Sequence, residues 1–126
     1  MNLLELGVVA KNTAKKAGKF LLTQKSKEKL ITSEIGRDIK LELDRKTEEL
    51  IRKELAVTNI QVQGEEIISK IDQKLRWVVD PIDGTANYFR GLNQCCVSIA
   101  LMNENECHIG VIYDFNSDEC YEAIKD

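Results

Sequence analysis

The feature that most constrains this chain is residues 77–88, which read WVVDPIDGTANY. They open with three apolar residues, two of them β-branched, which predicts the end of a buried strand, with the Asp80 carboxylate placed where that strand ends. Pro81 fixes φ and has no N–H donor, so we expect the chain to leave the sheet there. Asp83 then supplies a second carboxylate, and Gly84 permits a backbone turn that is closed to other residues.

Two carboxylates on one tight turn favour a bound cation. Like charges ~4 Å apart repel by roughly 4 kcal/mol at an effective dielectric constant near 20. That repulsion is comparable with the whole stability of a small domain, roughly 5–15 kcal/mol. The available ligands are the carboxylates of Asp80 and Asp83, the carbonyl of Ile82 and water, all oxygens. This ligand set is typical of Mg²⁺ rather than of zinc.

The whole chain is expected to form one domain, residues 1–126, because its length suits a single core. Its 43% hydrophobic and 31% charged residues are typical of globular proteins. A net charge of −3 and the lack of a basic run argue against nucleic acid as a partner. No apolar run is long enough for a membrane span, and the N-terminus lacks an export signal, so we predict a cytoplasmic protein with no membrane partner.

The hydrophobic pattern predicts an α+β fold, with two N-terminal helices packed on a mostly antiparallel sheet. The helices are expected over residues 3–22 and 44–55, with Asp44 as the N-cap of the second. Residues 23–40 are interpreted as a loop or bent hairpin around Gly36. Strands are expected over residues 60–63, 74–79, 94–102, 107–115 and 119–124.

Alternation along the predicted strand 94–102 sends Val97, Ile99 and Leu101 to one face of the sheet. The opposite face then carries Cys96, Ala100 and Met102, and the last strand leaves an open edge. Two helices can cover only one face of such a sheet. We therefore expect this chain to associate, either as a homodimer or with a complementary chain.

The cysteines and the histidine offer no second catalytic site. The cysteines form no C-x-x-C pair and are interpreted as reduced core thiols, with zinc ligation or a disulfide as the alternatives. His108, the single histidine, is interpreted as structural or exposed because no Ser-His or Cys-His pair can be built with it.

Residues 80–88, DPIDGTANY, resemble the signature of the inositol monophosphatase family of Mg²⁺-dependent, lithium-sensitive phosphatases. Residues 64–66 resemble the family's Gly-Glu-Glu element, and Asp44 resembles the aspartate of its Thr-x-x-Asp segment. The order of helices and strands is also similar. The resemblance implies the N-terminal half of a layered αβαβα sugar-phosphatase fold, with lithium as an inhibitor.

The resemblance also implies a set of metal ligands. Glu65, Asp80 and the Ile82 carbonyl would hold a first Mg²⁺, and Asp80 and Asp83 would reach a second. Glu65 would hold a third, mainly through waters.

Catalytic and phosphate-binding roles follow from the same resemblance. Thr85 would orient the attacking water together with Glu65, and Asp44 would hydrogen-bond Thr85. Asp83 and the backbone N–H groups of Gly84 and Thr85 would meet the substrate phosphate at a helix start. The implied reaction is hydrolysis of a small phosphate monoester, an inositol or sugar phosphate.

The main departure from the family is length, because its members run to about twice this chain. Their second half carries a Trp-Asp-x-Ala-Ala-like element, whose aspartate completes the second metal site, and most contacts to the substrate alcohol. Smaller departures are Ala86, where many members have threonine, and the missing threonines before Asp44. The alternative interpretation is therefore a catalytically incomplete fragment or regulatory half that needs a C-terminal partner.

Overall fold

A computed structural model describes residues 1–27, 31–35 and 38–126. The helices are α1 (Leu3–Gln24), α2 (Glu42–Leu55) and the short α3 (Thr85–Phe89), with a 3₁₀ turn at Ala56–Thr58. The strands are β1 (Ile31–Ile35), β2 (Asp38–Leu41), β3 (Gln61–Gln63), β4 (Leu75–Asp83), β5 (Cys96–Asn103), β6 (Glu106–Asp114) and β7 (Glu119–Ile124).

The main sheet has five strands in the order β3-β4-β5-β6-β7. Only β3 and β4 are parallel, and the other neighbours are antiparallel. Helices α1 and α2 contact each other, and they pack on the strands from one side. The predicted α+β fold with a mostly antiparallel sheet is confirmed. The segment interpreted as a loop or bent hairpin contains the antiparallel pair β1-β2, and residues 28–30 and 36–37 of that segment lie outside the described ranges.

Helix α1 lies close to the sheet because its buried face is built from small residues. Ala10, Ala14 and Ala17 are fully buried. At Gly18 an added Cβ would lie 2.4 Å from the ring of Tyr113 on β6, so no larger residue fits this contact. The helix predicted over residues 3–22 is confirmed and continues two residues further.

Helix α2 begins earlier than expected, and the prediction that Asp44 is its N-cap is wrong. The N-cap is Leu41, and Asp44 is the third helical residue. The Asp44 Oδ2 atom accepts a 2.8 Å hydrogen bond from the backbone N–H of Leu41. This bond satisfies a donor at the helix start from inside the first turn, as the acidic member of a capping box does.

Strand β4 does not end at Asp80 as predicted, because it continues to Asp83. The pairing with β5 is interrupted between Asp80 and Asp83, which pair with Ser98 and Cys96. Pro81 lies within this irregularity, where its missing N–H disrupts no regular ladder. The chain therefore bulges at Pro81 instead of leaving the sheet.

The two faces of the sheet differ as the alternation predicted. Val97, Ile99 and Leu101 are fully buried beneath the helices, whereas Cys96, Ala100 and Met102 are only partly buried. We call the surface opposite α1 and α2 the outer face. It also carries the cross-strand neighbours Ile112 and Tyr121, which are 46% and 58% exposed.

All four cysteines are free thiols, but only Cys95 is buried and Cys107 is exposed, so the prediction of core thiols is only partly right. The His108 Nε2 atom lies 3.2 Å from a carboxylate oxygen of Glu106. Within the described ranges, every helix is too short or too polar to span a bilayer.

Candidate active site

The Thr85 hydroxyl lies between two oxygen atoms from different segments. It is 2.9 Å from Asp44 Oδ1 on α2 and 3.0 Å from the carbonyl oxygen of Ile82 on β4. A hydroxyl carries a single proton, so it donates to one of these acceptors at a time. Its position is set from both sides, and the side chain is partly exposed.

Asp44 is held inside the protein by bonds to both of its carboxylate oxygens. Asp44 is buried, with an exposed fraction of 1%. Oδ2 accepts the Leu41 N–H, and Oδ1 accepts from Thr85. Because α2 is packed in the core, the bond from Thr85 to Asp44 fixes the turn at the end of β4 relative to that helix.

The turn at Gly84 requires glycine. Its φ of +92° lies in the left-handed region, and an added Cβ would lie 2.6 Å from the carbonyl oxygen of Gln94. This confirms the prediction of a turn that is closed to other residues. Helix α3 begins immediately afterwards at Thr85.

Glu65 and Asp80 line the same small cavity. It has a volume of about 260 Å³ and also touches Gly64, Ser98 and Ala100. Glu65 comes from the segment after β3, and Asp80 comes from β4, the strand beside it. The sheet therefore brings these two predicted site residues together from distant positions in the sequence.

Asp83 lines a neighbouring cavity of about 620 Å³ together with Gly84 and Cys96. The Cys96 thiol donates a weak hydrogen bond, 3.9 Å long, to Asp83 Oδ2. Burial raises the pKa of this thiol to about 11, with further contributions from the negative charges of Asp83 and Asp80. The same charges create a local field that favours a cation.

The residues around these two cavities offer carboxylates as ligands for the predicted magnesium ion. In the part of the chain that the structure describes, no three His, Cys, Asp or Glu side chains form a compact metal-binding group. Mg²⁺ usually keeps several waters and needs only one or two protein carboxylates. The described lining of the cavity shared by Glu65 and Asp80 contains no histidine or cysteine, so these two carboxylates fit this ion.

One residue in this region, Glu48, was not predicted from the sequence. It is fully buried on α2, one turn after Asp44, and its carboxylate contacts the segment that carries Glu65. A signal was available, because an acid at this position lies on the buried face of an amphipathic helix, three residues before Ile51. Such an acid needs buried partners.

Comparison with known proteins identifies the family of this chain. The family model described as "Inositol monophosphatase family" matches residues 2–126. The chain belongs to the inositol monophosphatase family. It is 38% identical over 116 residues to a protein named Nus factor SuhB from Xylella fastidiosa, covering 89% of this chain and 42% of that protein. It is also 38% identical over 85 residues to an inositol-1-monophosphatase from Rhizobium meliloti, covering 64% of this chain and 32% of that enzyme.

The solved structures agree with this assignment. The extragenic suppressor protein SuhB from Bartonella henselae superposes with a TM-score of 0.90 at 31% identity, covering 96% of this chain and 49% of that one. The predicted membership of the inositol monophosphatase family is confirmed, and so is the predicted half-fold. The chain spans about half the length of the relatives it matches.

Proposed function

We propose that this chain forms part of the active site of a Mg²⁺-dependent phosphatase that hydrolyses a small phosphate monoester, such as an inositol or sugar phosphate. The observation that carries the proposal is the Thr85 hydroxyl, held between Asp44 Oδ1 and the Ile82 carbonyl. Membership of a phosphatase family supports the reaction class.

The Thr85 hydroxyl is suited to orienting a water molecule. Whichever of its two acceptors takes the proton, a lone pair of the hydroxyl oxygen stays available to accept one from water. Asp44 is buried and its Oδ1 accepts from Thr85, so we assign it the role of positioning Thr85. Glu65 is exposed and lines the cavity with Asp80, so its carboxylate is the candidate for the second contact to the water.

We assign the metal-binding role to Glu65, Asp80, the Ile82 carbonyl and Asp83. The oxygen-only donor set and the shared cavity of Glu65 and Asp80 support this assignment. When bound, Mg²⁺ lowers the pKa of a water, neutralises phosphoryl oxygens and supports the leaving oxygen. The backbone N–H groups of Gly84 and Thr85 would donate to the substrate phosphate, and Asp83 would act on it through the bound Mg²⁺, because a carboxylate and a phosphate repel each other directly.

The alternative is a chain that needs a C-terminal partner for activity. The chain spans 42% of the Xylella protein, and its outer face exposes Ile112 and Tyr121. Under this alternative, the chain supplies the metal-binding and water-orienting residues, and the partner supplies the remaining metal ligand and the contacts to the substrate alcohol.

Calorimetric titration with Mg²⁺ tests the metal site. We expect the wild-type chain to bind weakly and Asp80→Asn to lose that binding, because a carboxylate is exchanged for a neutral amide of the same shape. Asp126→Asn, the same change at an exposed position away from both cavities, is the matched control. Equal heats from the wild type and Asp80→Asn would contradict the proposal.

Phosphate release from a panel of inositol, sugar and aryl monoesters tests the reaction. We expect Mg²⁺-dependent release that is enhanced by a complementary C-terminal half from a relative, supplied in trans. Release that needs no divalent cation, and that Asp80→Asn leaves unchanged, would contradict the assignment.

A further inference from the structure

Glu48 is a carboxylate enclosed by the protein. It is 0% exposed and lies on α2, four residues after Asp44. A buried carboxylate is unfavourable unless hydrogen bonds and an opposite charge compensate for the lost water. Its partners therefore show what the residue stabilises.

Both oxygens of Glu48 accept backbone N–H groups from the segment that follows β3. Oε1 accepts from Glu66 at 3.0 Å, and Oε2 accepts from Ile67 at 2.9 Å. Such charge-assisted bonds are stronger than bonds between neutral groups. Residues 64–74, all within the described ranges, belong to no helix or strand. The bonds to Glu48 therefore hold this segment in place where no strand pairing does.

Arg52 completes the anchor from the next turn of α2. Its Nε donates to Glu48 Oε2 at 3.1 Å, and its Nη2 donates to the Ile67 carbonyl at 3.0 Å. The guanidinium thus neutralises the buried charge and grips the same peptide segment. Both the N–H and the carbonyl of Ile67 are bound by this pair of side chains.

Gly64 contacts the carboxylate on the other side of Glu65. An added Cβ at Gly64 would lie 2.2 Å from Glu48 Oε1, so the backbone there rests directly on the side chain. Glu65 is thereby flanked by two residues that Glu48 contacts. Glu65 itself lines the cavity that it shares with Asp80.

We propose that Glu48 is a positioning residue that places Glu65 for metal binding, an inference that rests on the proposed function of Glu65. Asp44 binds Thr85 and Glu48 binds the Glu65 segment, one helical turn apart on α2. A single rigid helix thus sets the relative positions of the water-orienting and the metal-binding segments.

Glu48→Gln is the sharpest test because it keeps the size of the side chain. Both oxygens of Glu48 accept N–H donors, so the amide NH₂ of glutamine must face a donor in either orientation. Arg52→Lys is a milder second variant, which keeps the charge but loses the forked grip on Ile67. Glu49→Gln, the same change at the exposed ion pair with Arg45, is the matched control.

Two measurements on the full chain separate positioning from general loss of stability. Hydrogen exchange of the Glu66 and Ile67 amides should accelerate in Glu48→Gln, and the dissociation constant for Mg²⁺ should rise by about 10-fold or more, as for other outer-shell groups. Ile51→Val, which alters the core of α2 without changing a hydrogen bond, controls for stability and should leave both readouts near wild type.

The outcomes distinguish the two proposals. If the wild type and Asp80→Asn give equal heats with Mg²⁺, the proposed metal site fails, and the role of Glu48 fails with it. If the wild type binds Mg²⁺ and Glu48→Gln binds it equally well, only the role of Glu48 is overturned. An equal loss of affinity in Ile51→Val would also overturn it, because the effect would then follow stability alone.

Discussion

Asp44 and Thr85 are 41 residues apart in sequence, and their side chains are joined by a 2.9 Å hydrogen bond. One partner is buried in the first turn of α2, and the other opens the short helix after β4. The bond therefore links the helical layer to the turn at the end of β4.

We expect Thr85→Ala to lower kcat by about 10²-fold or more in any preparation with phosphatase activity, the range for a lost positioning group. Thr85→Ser is the matched control, because it retains the hydroxyl and should retain most of the turnover. Steady-state kinetics on both variants, with unfolding curves to confirm that they fold, provide the measurement. A folded Thr85→Ala protein with unchanged kcat would remove Thr85 from the mechanism.

The second prediction concerns the glycine of the same turn. Gly84→Ala and Gly91→Ala both place a Cβ at positive φ, +92° and +76° respectively, which costs about 1–2 kcal/mol. Only at Gly84 does the Cβ also meet backbone, 2.6 Å from the Gln94 oxygen, whereas nothing lies within 4 Å at Gly91. Overpacking should then cost Gly84→Ala an additional ~1–3 kcal/mol in urea unfolding. Equal losses of stability would show that the turn can relax.

The third prediction concerns alkaline pH. Burial raises the pKa of Tyr88 to about 12, and burial together with the hydrogen bond to Asp118 raises the pKa of Tyr113 to about 12. In the unfolded chain these phenols ionise near pH 10. Between pH 10 and 12 the folded state therefore keeps protons that the unfolded state has lost, so the free energy of unfolding falls as pH rises.

Ultraviolet titration of tyrosinate, combined with urea unfolding at several pH values, checks this expectation. The Tyr88→Phe variant should show a smaller fall in stability over the same pH interval, even though it loses the 2.7 Å bond to the Leu21 carbonyl. A native titration of Tyr88 and Tyr113 centred near pH 10 would contradict the prediction.

The fourth prediction concerns association through the outer face. Ile112 and Tyr121 form an exposed apolar pair there, so we expect the chain to self-associate or to pair with a complementary C-terminal half. Changing both to lysine should shift the chain towards monomer in size-exclusion chromatography with light scattering. Leu4→Lys, at a 69% exposed position on α1, is the control and should change nothing.

A phosphate-release assay on the same chromatographic fractions links association to activity. We expect efficient hydrolysis only where a C-terminal half is present. A monodisperse monomer with a turnover of about 1 s⁻¹ or more would contradict this expectation.

Much of the fold followed from local chemistry. The alternation of Val97, Ile99 and Leu101 identified the buried face of β5, because successive side chains on a strand must point to opposite sides. The turn at Gly84 was also predictable, because glycine is the residue that most readily adopts a positive φ, and Gly84 has one in the structure. The ends of helices and strands were less predictable. Strand β4 continues through a bulge at Pro81 because it goes on pairing with β5 as far as Asp83. Helix α2 starts before Asp44 because the Asp44 side chain accepts the N–H of Leu41 and caps the helix from inside its first turn.

The site divides in the same way. The acids and the turn of residues 80–85 are contiguous, so their pattern in the chain was sufficient to predict them as site residues. The meeting of Glu65 with Asp80, the bond from Thr85 to Asp44 and the anchor formed by Glu48 depend on segments that are far apart in sequence. The pairing of β3 with β4 brings Glu65 beside Asp80, and the packing of α2 against the sheet brings Asp44 and Glu48 to their partners. Hydrogen bonds act over about 3 Å, and local sequence carries no information on such separations.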